Sequence, residues 1–426
     1  MKTFALKGNI CFSEDKDTLR IFENSFVICK DGICAGVYAE IPETYQGIPC
    51  VDYGDNLIIP GLVDLHVHAP QYSFRGLGMD LELIDWLNTH TFVEEAKYKE
   101  ISYAEKAYDI FTEDLKKSAT TRACIFGTIH NEATLLLMEK LEKSGTKAYV
   151  GKVNMDRNSP ENLCEKNPEE AIQDTEAWIR ACEKFEHVKP ILTPRFIPSC
   201  TDELMEKLSE VQKKYQLPMQ SHLSENYGEI AWVQELSPDT HFYGEAYDKF
   251  DLFGGNCPTI MAHCVHSGKD EVELMKKNQV FIAHCPESNT NLSSGIAPVR
   301  MYLDEGMKIG LGSDVAAGST LSVFKAMSMA IQCSKLRWRL KDQSLAPLNV
   351  KEAFYLGTKG GGEFFGKVGS FEEGYEFDAV VLSDQSLKHP QKLSVKSRLE
   401  RMIYLAEEKH ITAKYVGGRK IFDCKK

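Results

Sequence analysis

Pro60-Gly-Leu-Val-Asp-Leu-His-Val-His68 is an apolar run in which Asp64, His66 and His68 alternate with Leu65 and Val67. Successive residues of a strand point to opposite faces, so His66 and His68 project to the same side. At the carboxyl end of a strand, two imidazoles held that way can share one divalent cation. A bare H-x-H is more often two ordinary histidines on a half-buried strand, so its weight depends on what surrounds it.

Working outward, seven further strand-length apolar runs follow: 121–129, 147–153, 190–196, 218–223, 259–263, 280–284 and 308–313. The later gaps have helical periodicity, as in Asp202–Tyr215 and Asp270–Lys277. Eight buried strands with crossover helices predict an α/β protein built on a (β/α)8 TIM-like barrel over residues 60–369. The first gap is long and carries Trp86, Phe92, Glu94 and Glu95. An insertion there would overhang the face where the loops after strands gather. Both ends of the chain read instead as short strands broken by turns: 3–10, 25–29, 32–38 and 50–52, then 379–382 and 411–422 with a Gly417-Gly418 turn. This predicts a small composite β-sandwich domain from residues 1–59 and 370–426.

The barrel reading changes the odds for His66 and His68. His222 ends the fifth run, His263 ends the sixth, and Asp314 directly follows the eighth. Strand ends distant in sequence converge at one barrel mouth. Three ring nitrogens and a carboxylate leave an open position for a water, whose pKa the metal lowers toward ~7. Glu225, three residues past His222, is placed to move that water's proton to a ring nitrogen.

Composition is that of a globular protein, with 43% hydrophobic and 26% charged residues in 426. The net charge of −12 disfavours a polyanionic partner such as nucleic acid. The opening MKTFALKGNICFSEDK has no continuous apolar core, so no signal peptide is read, and no stretch approaches the ~18 apolar residues of a membrane span. Thirteen scattered cysteines without C-x-x-C read as free thiols in a reducing cytoplasm.

PGLVDLHVHAPQYSF (60–74), FGTIH (126–130), GKVNMDRN (151–158), PRF (194–196), QSHLSEN (220–226), MAHC (261–264), AHCPESN (283–289), GLGSDVAAG (310–318) and VGSFEEGYEFDAVVL (368–382) resemble, in order, segments of the guanine deaminase family within the amidohydrolase superfamily. HxH and SD are shared across the superfamily, whereas APQ and PRF are the specific parts. The resemblance implies hydrolysis of free guanine to xanthine and ammonia, in a homodimer with one divalent ion per chain. It implies metal ligands at His66, His68, His222 and Asp314, with Glu225 as proton shuttle. His263 would orient the water or the oxyanion, and Asp314 would also accept a proton. Gln71, Arg195 and Phe196 would contact the purine, lined as well by His68, His222, Glu225 and Asp314. Zn2+ suits three nitrogens and one oxygen, although Fe2+ or manganese accepts the same donors. Cys264 stands where a glycine is more usual in such sequences.

Other readings weigh less. A related enzyme acting on another purine, a pterin or a triazine would share the superfamily motifs, but APQ with PRF argues against it. A non-catalytic scaffold would be expected to have lost ligands. His130-Asn131-Glu132 begins the signature of another zinc deaminase fold, but its P-C-x-x-C is absent. GGEFFGK (361–367) mimics a P-loop without its Ser/Thr. Lys152 could be a carbamylated bridge between two metals, but it falls on the third run, which favours a single ion. Trp86 reads as lid packing, and His284 as either structural or supporting.

Overall fold

The computed structural model describes residues 3–424. Strands β1 (Thr3–Ser13), β2 (Leu19–Lys30), β3 (Ile33–Tyr38) and β4 (Cys50–Pro60) come first. The middle contributes β5 (Leu62–His68), β6 (Thr120–Phe126), β7 (Lys147–Gly151), β8 (Val153–Asn154), β9 (Val188–Pro190) and β10 (Thr193–Pro194). It continues with β11 (Met219–Leu223), β12 (Thr259–His263), β13 (Phe281–His284) and β14 (Lys308–Leu311). Finally come β15 (Ala379–Leu382), β16 (Ile411–Val416) and β17 (Arg419–Asp423).

The middle strands form two four-stranded parallel sheets, β5-β6-β7-β9 and β11-β12-β13-β14, with β8 paired to β10. The expected fourth run is broken, because Pro190 and Pro194 cannot donate to a ladder and the strand interrupts between them. At one seam Leu192 forms a parallel bridge with Met219, and Gln220 N donates to Leu192 O at 2.9 Å. At the other, Asp314 N donates to His66 O at 2.8 Å and His68 N to Val315 O at 3.2 Å. The second seam carries three of the candidate ligands, His66, His68 and Asp314.

Crossover helices form where the periodicity placed them. The helix Asp202–Tyr215 starts at Thr201, whose hydroxyl accepts from Leu204 N at 3.2 Å. Asp202 and Glu203 sit in its first turn and Lys213 and Lys214 in its last, matching the helix dipole. The long first gap folds into short pieces: Ala69–Phe74, Leu83–Trp86, a π-type turn Leu87–Thr91 and Phe92–Glu95, ahead of the long helix Ile101–Lys117.

Strands from the two ends of the chain share one seven-stranded sheet, β17-β16-β15-β4-β1-β2-β3. Phe4 on β1 and Tyr415 on β16 stack at 5.8 Å although two strands lie between theirs, so the sheet curls over its own apolar face. Two buried basic side chains fasten it to the parallel sheets. Arg122 on β6 pairs with Asp378 at 2.6 Å and Glu376 at 2.7 Å. Lys414 Nζ lies 2.9 Å from each of the carbonyl oxygens of Leu115, Ser118 and Thr120. Among the described residues no helix is long and apolar enough to cross a membrane.

Candidate active site

His66 and His68 both lie buried at the end of β5, and the expected alternation holds: their Nε2 atoms are 3.2 Å apart. His222, one residue before the end of β11, brings its Nε2 to 3.3 Å from that of His68. Asp314 Oδ1 is 3.2 Å from His66 Nε2 and 3.5 Å from His68 Nε2. The four residues expected to bind metal thus meet at one point, although they come from three distant parts of the chain. Phe126 packs against the rings of His66, His68 and His222 at 4.9, 4.5 and 5.0 Å and holds them in place.

The donor set fits a divalent ion. His222 Nδ1–H donates to Arg195 O at 2.7 Å, which leaves its Nε2 lone pair facing inward. Burial and the neighbouring His66 push the His68 and His222 imidazoles well below their usual pKa, toward the neutral, ligating form. Burial would push the Asp314 carboxyl up, but the imidazoles of His66, His263 and His68 outweigh it and hold the group well below the usual carboxylate range.

Backbone geometry aims these groups. Asp314 and His263 both adopt left-handed conformations, at φ 46° and 74°. Such angles are costly for residues other than glycine and cluster at functional sites. Cys264 is also left-handed at φ 48°, a backbone region that glycine enters without steric cost. Asp64 buttresses the seam beneath. It accepts from Ser313 N at 2.9 Å, Ser313 Oγ at 2.5 Å and His66 N at 3.2 Å, and burial raises its pKa to about 6.

Glu225 and His263 stand beside this cluster. His263 Nδ1–H donates to Asn289 Oδ1 at 2.9 Å, and its Nε2 faces Glu225 Oε2 at 3.3 Å and Asp314 Oδ2 at 3.8 Å. Burial, reinforced by the Asp314 charge, pushes the Glu225 carboxyl up to about 8. A carboxyl poised near neutrality can both take and give a proton. Glu229 lies behind it, accepting from Glu225 N at 3.1 Å and from Tyr243 OH at 2.9 Å, and burial with the Glu225 charge raises it to about 7.

A cleft opens above these groups. Gln71, Arg195 and Phe196 face it together with His68, His222, Glu225, His263 and Asp314. Trp86 packs in the inserted segment, its Nε1–H donating to Leu77 O at 3.1 Å, and its ring also forms part of the cleft wall. His284 is buried away from the cleft, and burial beside His263 pushes it down to about 3. The Lys152 amine is engaged by Glu165, in a buried pair outside the ligand cluster.

Glu229, Asn289 and Cys285 join the site without having been singled out from the sequence, and Glu95 joins it from the inserted segment expected to overhang this face. Cys285 shares a potential ligand group with His263 and Asp314, although burial holds its thiol well above the usual pKa. Cys285 and Asn289 sit in the AHCPESN segment, which was the available signal.

The amidohydrolase family model matches residues 57–421. The chain is 37% identical to the guanine deaminase of Dictyostelium discoideum, with 97% of each chain covered. It is 32% identical to that of Escherichia coli, over 96% of this chain and 94% of the other. The crystal structure of guanine deaminase from C. acetobutylicum with guanine bound in the active site superposes with a TM-score of 0.96 at 50% identity, covering 99% of this chain and 100% of that one.

Proposed function

The chain belongs to the amidohydrolase family and, within it, to the guanine deaminases, and from that membership we infer that it hydrolyses guanine to xanthine and ammonia. The observation that carries the reading is the convergence of four side chains able to bind a metal, beside a buried carboxyl poised near neutrality and at the foot of a cleft.

His66, His68, His222 and Asp314 would hold one divalent ion, for which zinc is the best match to three ring nitrogens and a carboxylate oxygen. Such an ion supplies a Lewis acid that makes water nucleophilic near neutral pH. Glu225 takes the proton of the water that attacks C2 and delivers it to the adjacent ring nitrogen. Bonding of the water oxygen to C2 makes that carbon tetrahedral, and ammonia leaves when the remaining hydroxyl proton, taken up by Asp314, is passed to the amino nitrogen as the C2–N bond breaks. His263, pinned by Asn289, orients the attacking oxygen between Glu225 and Asp314. Asp314 is divided in its duties: Oδ1 faces His66 and His68, while Oδ2 faces His263 and can accept a proton as the intermediate collapses. Gln71 and Arg195 supply donors to O6 and N7 of the purine, and Phe196 supplies a stacking face.

The scaffold reading follows the same lines. We take residues 60–369 as one closed (β/α)8 barrel, supported by hydrogen bonds at both seams between the parallel sheets. Residues 1–59 and 370–426 would form a composite β-sandwich domain, supported by the curled seven-stranded sheet. A cytoplasmic setting suits the thirteen free thiols.

Incubating the metal-loaded protein with guanine in 18O-labelled water tests the reaction. One labelled oxygen should appear at C2 of xanthine for each ammonia released. Ammonia without label in xanthine would rule out direct hydrolytic attack at C2.

A further inference from the structure

We propose that Glu95 is a positioning residue that sets the hydrogen-bond polarity of the cleft, so that a 6-oxo purine is accepted and a 6-amino purine rejected; this rests on the deaminase reading above. Glu95 belongs to the inserted helix Phe92–Glu95 and is buried behind the cleft wall. Its two oxygens engage both proposed purine readers. Arg195 Nη1 donates to Oε2 at 2.6 Å and Arg195 Nη2 to Oε1 at 3.2 Å. Gln71 Nε2 donates to Oε1 at 2.9 Å. Phe92, from the same short helix, places its ring 5.1 Å from the Arg195 guanidinium.

These contacts constrain each reader. Gln71 Oε1 accepts from Ala316 N at 3.3 Å, so the amide is held at both ends. Flipping it would set its oxygen against a carboxylate and its NH2 against the Ala316 N–H. The amide therefore keeps a spare hydrogen on Nε2. Arg195 can only donate. Two donors require two acceptors, which the O6 and N7 edge of guanine provides. A 6-amino group would meet the guanidinium donor to donor, leaving buried groups unsatisfied. Without the Glu95 charge, Arg195 loses its counter-charge and Gln71 is free to turn its oxygen toward a 6-amino group.

The test compares guanine with 2,6-diaminopurine, which keeps the 2-amino group and exchanges O6 for a donor. Wild type, Glu95→Gln and Glu95→Asp are each assayed metal-loaded, with metal content and Tm recorded. In Glu95→Gln the kcat/KM ratio of guanine to diaminopurine should fall by about tenfold or more, the factor carried by one charged hydrogen bond. The fall should come through a higher KM for guanine, with kcat changed less than about threefold. Glu95→Asp keeps the buried charge at a shorter reach, so its ratio should lie between the other two. A ratio within about twofold of wild type in whichever variant folds would show that Glu95 is merely structural. If wild type releases no ammonia from guanine, it is the deaminase reading that fails instead.

Discussion

The backbone carbonyl of Arg195 accepts a 2.7 Å hydrogen bond from Nδ1 of His222. One residue therefore faces the cleft with its side chain and fixes a candidate metal-ligating imidazole with its main chain. Truncating the side chain leaves the carbonyl in place, so the two roles can be separated. Arg195→Ala should retain its metal, raise KM for guanine markedly and reduce kcat less. It should also narrow the preference for guanine over 2-aminopurine, because a site without that donor no longer rewards O6. Equal losses on both substrates would show that Arg195 does not read O6.

Glu225→Gln keeps size and polarity but cannot carry a proton. Guanine should still bind and the metal should remain, while kcat falls by at least ~10²-fold. Steady-state kinetics beside metal analysis checks this. A variant with near-normal kcat would remove Glu225 from the chemistry.

Metal and catalysis should be lost together. Chelation should abolish activity, and readdition of a divalent ion should restore it. His66→Ala and Asp314→Ala should each lower bound metal along with rate, since both contribute to one cluster. A rigorously metal-free preparation with full activity is the contrary result.

Lys414 offers a test remote from the site. Burial, with the nearby Lys116 charge, pushes its pKa down to about 7 from an ordinary 10.5. Between these values the unfolded chain binds a proton that the folded chain does not, so this group's contribution to stability rises with pH across that window and is lowest below pH 7. The slope is at most about 1.4 kcal/mol per pH unit. Wild-type stability relative to Lys414→Met should therefore increase from pH 7 to 10, as read by denaturant unfolding. A difference that is flat with pH contradicts the shift.

Much of this was legible in the sequence, for reasons particular residues make plain. His66 and His68 obey strand alternation, and His222, His263 and Asp314 close or follow apolar runs, so local pattern and barrel topology locate them. Glu95 was legible only as an acid of the inserted segment, and its pairing with Arg195 and Gln71 was not. Its partner Arg195 is 100 residues away, and its own segment is broken into short helical pieces without a clear period. Glu229 is similar, because only the fold turns it toward Glu225 and Tyr243. Strand limits were blurred where local chemistry conflicted with tertiary pairing. β4 runs on to Pro60 through Gly54, which has φ 58°, and the acids around it, which had read as a turn after Asp52. The helix Val395–Leu405 lies between tail strands where only strand character had been read.

The central claim is tested most directly by ammonia release from a panel of free nucleobases and nucleosides under one set of conditions. Guanine should be turned over far faster than adenine, cytosine or guanosine, as expected if Gln71 and Arg195 donate to O6 and N7 and the cleft is built for the free base. Comparable turnover of guanosine, or of adenine in place of guanine, would contradict the account.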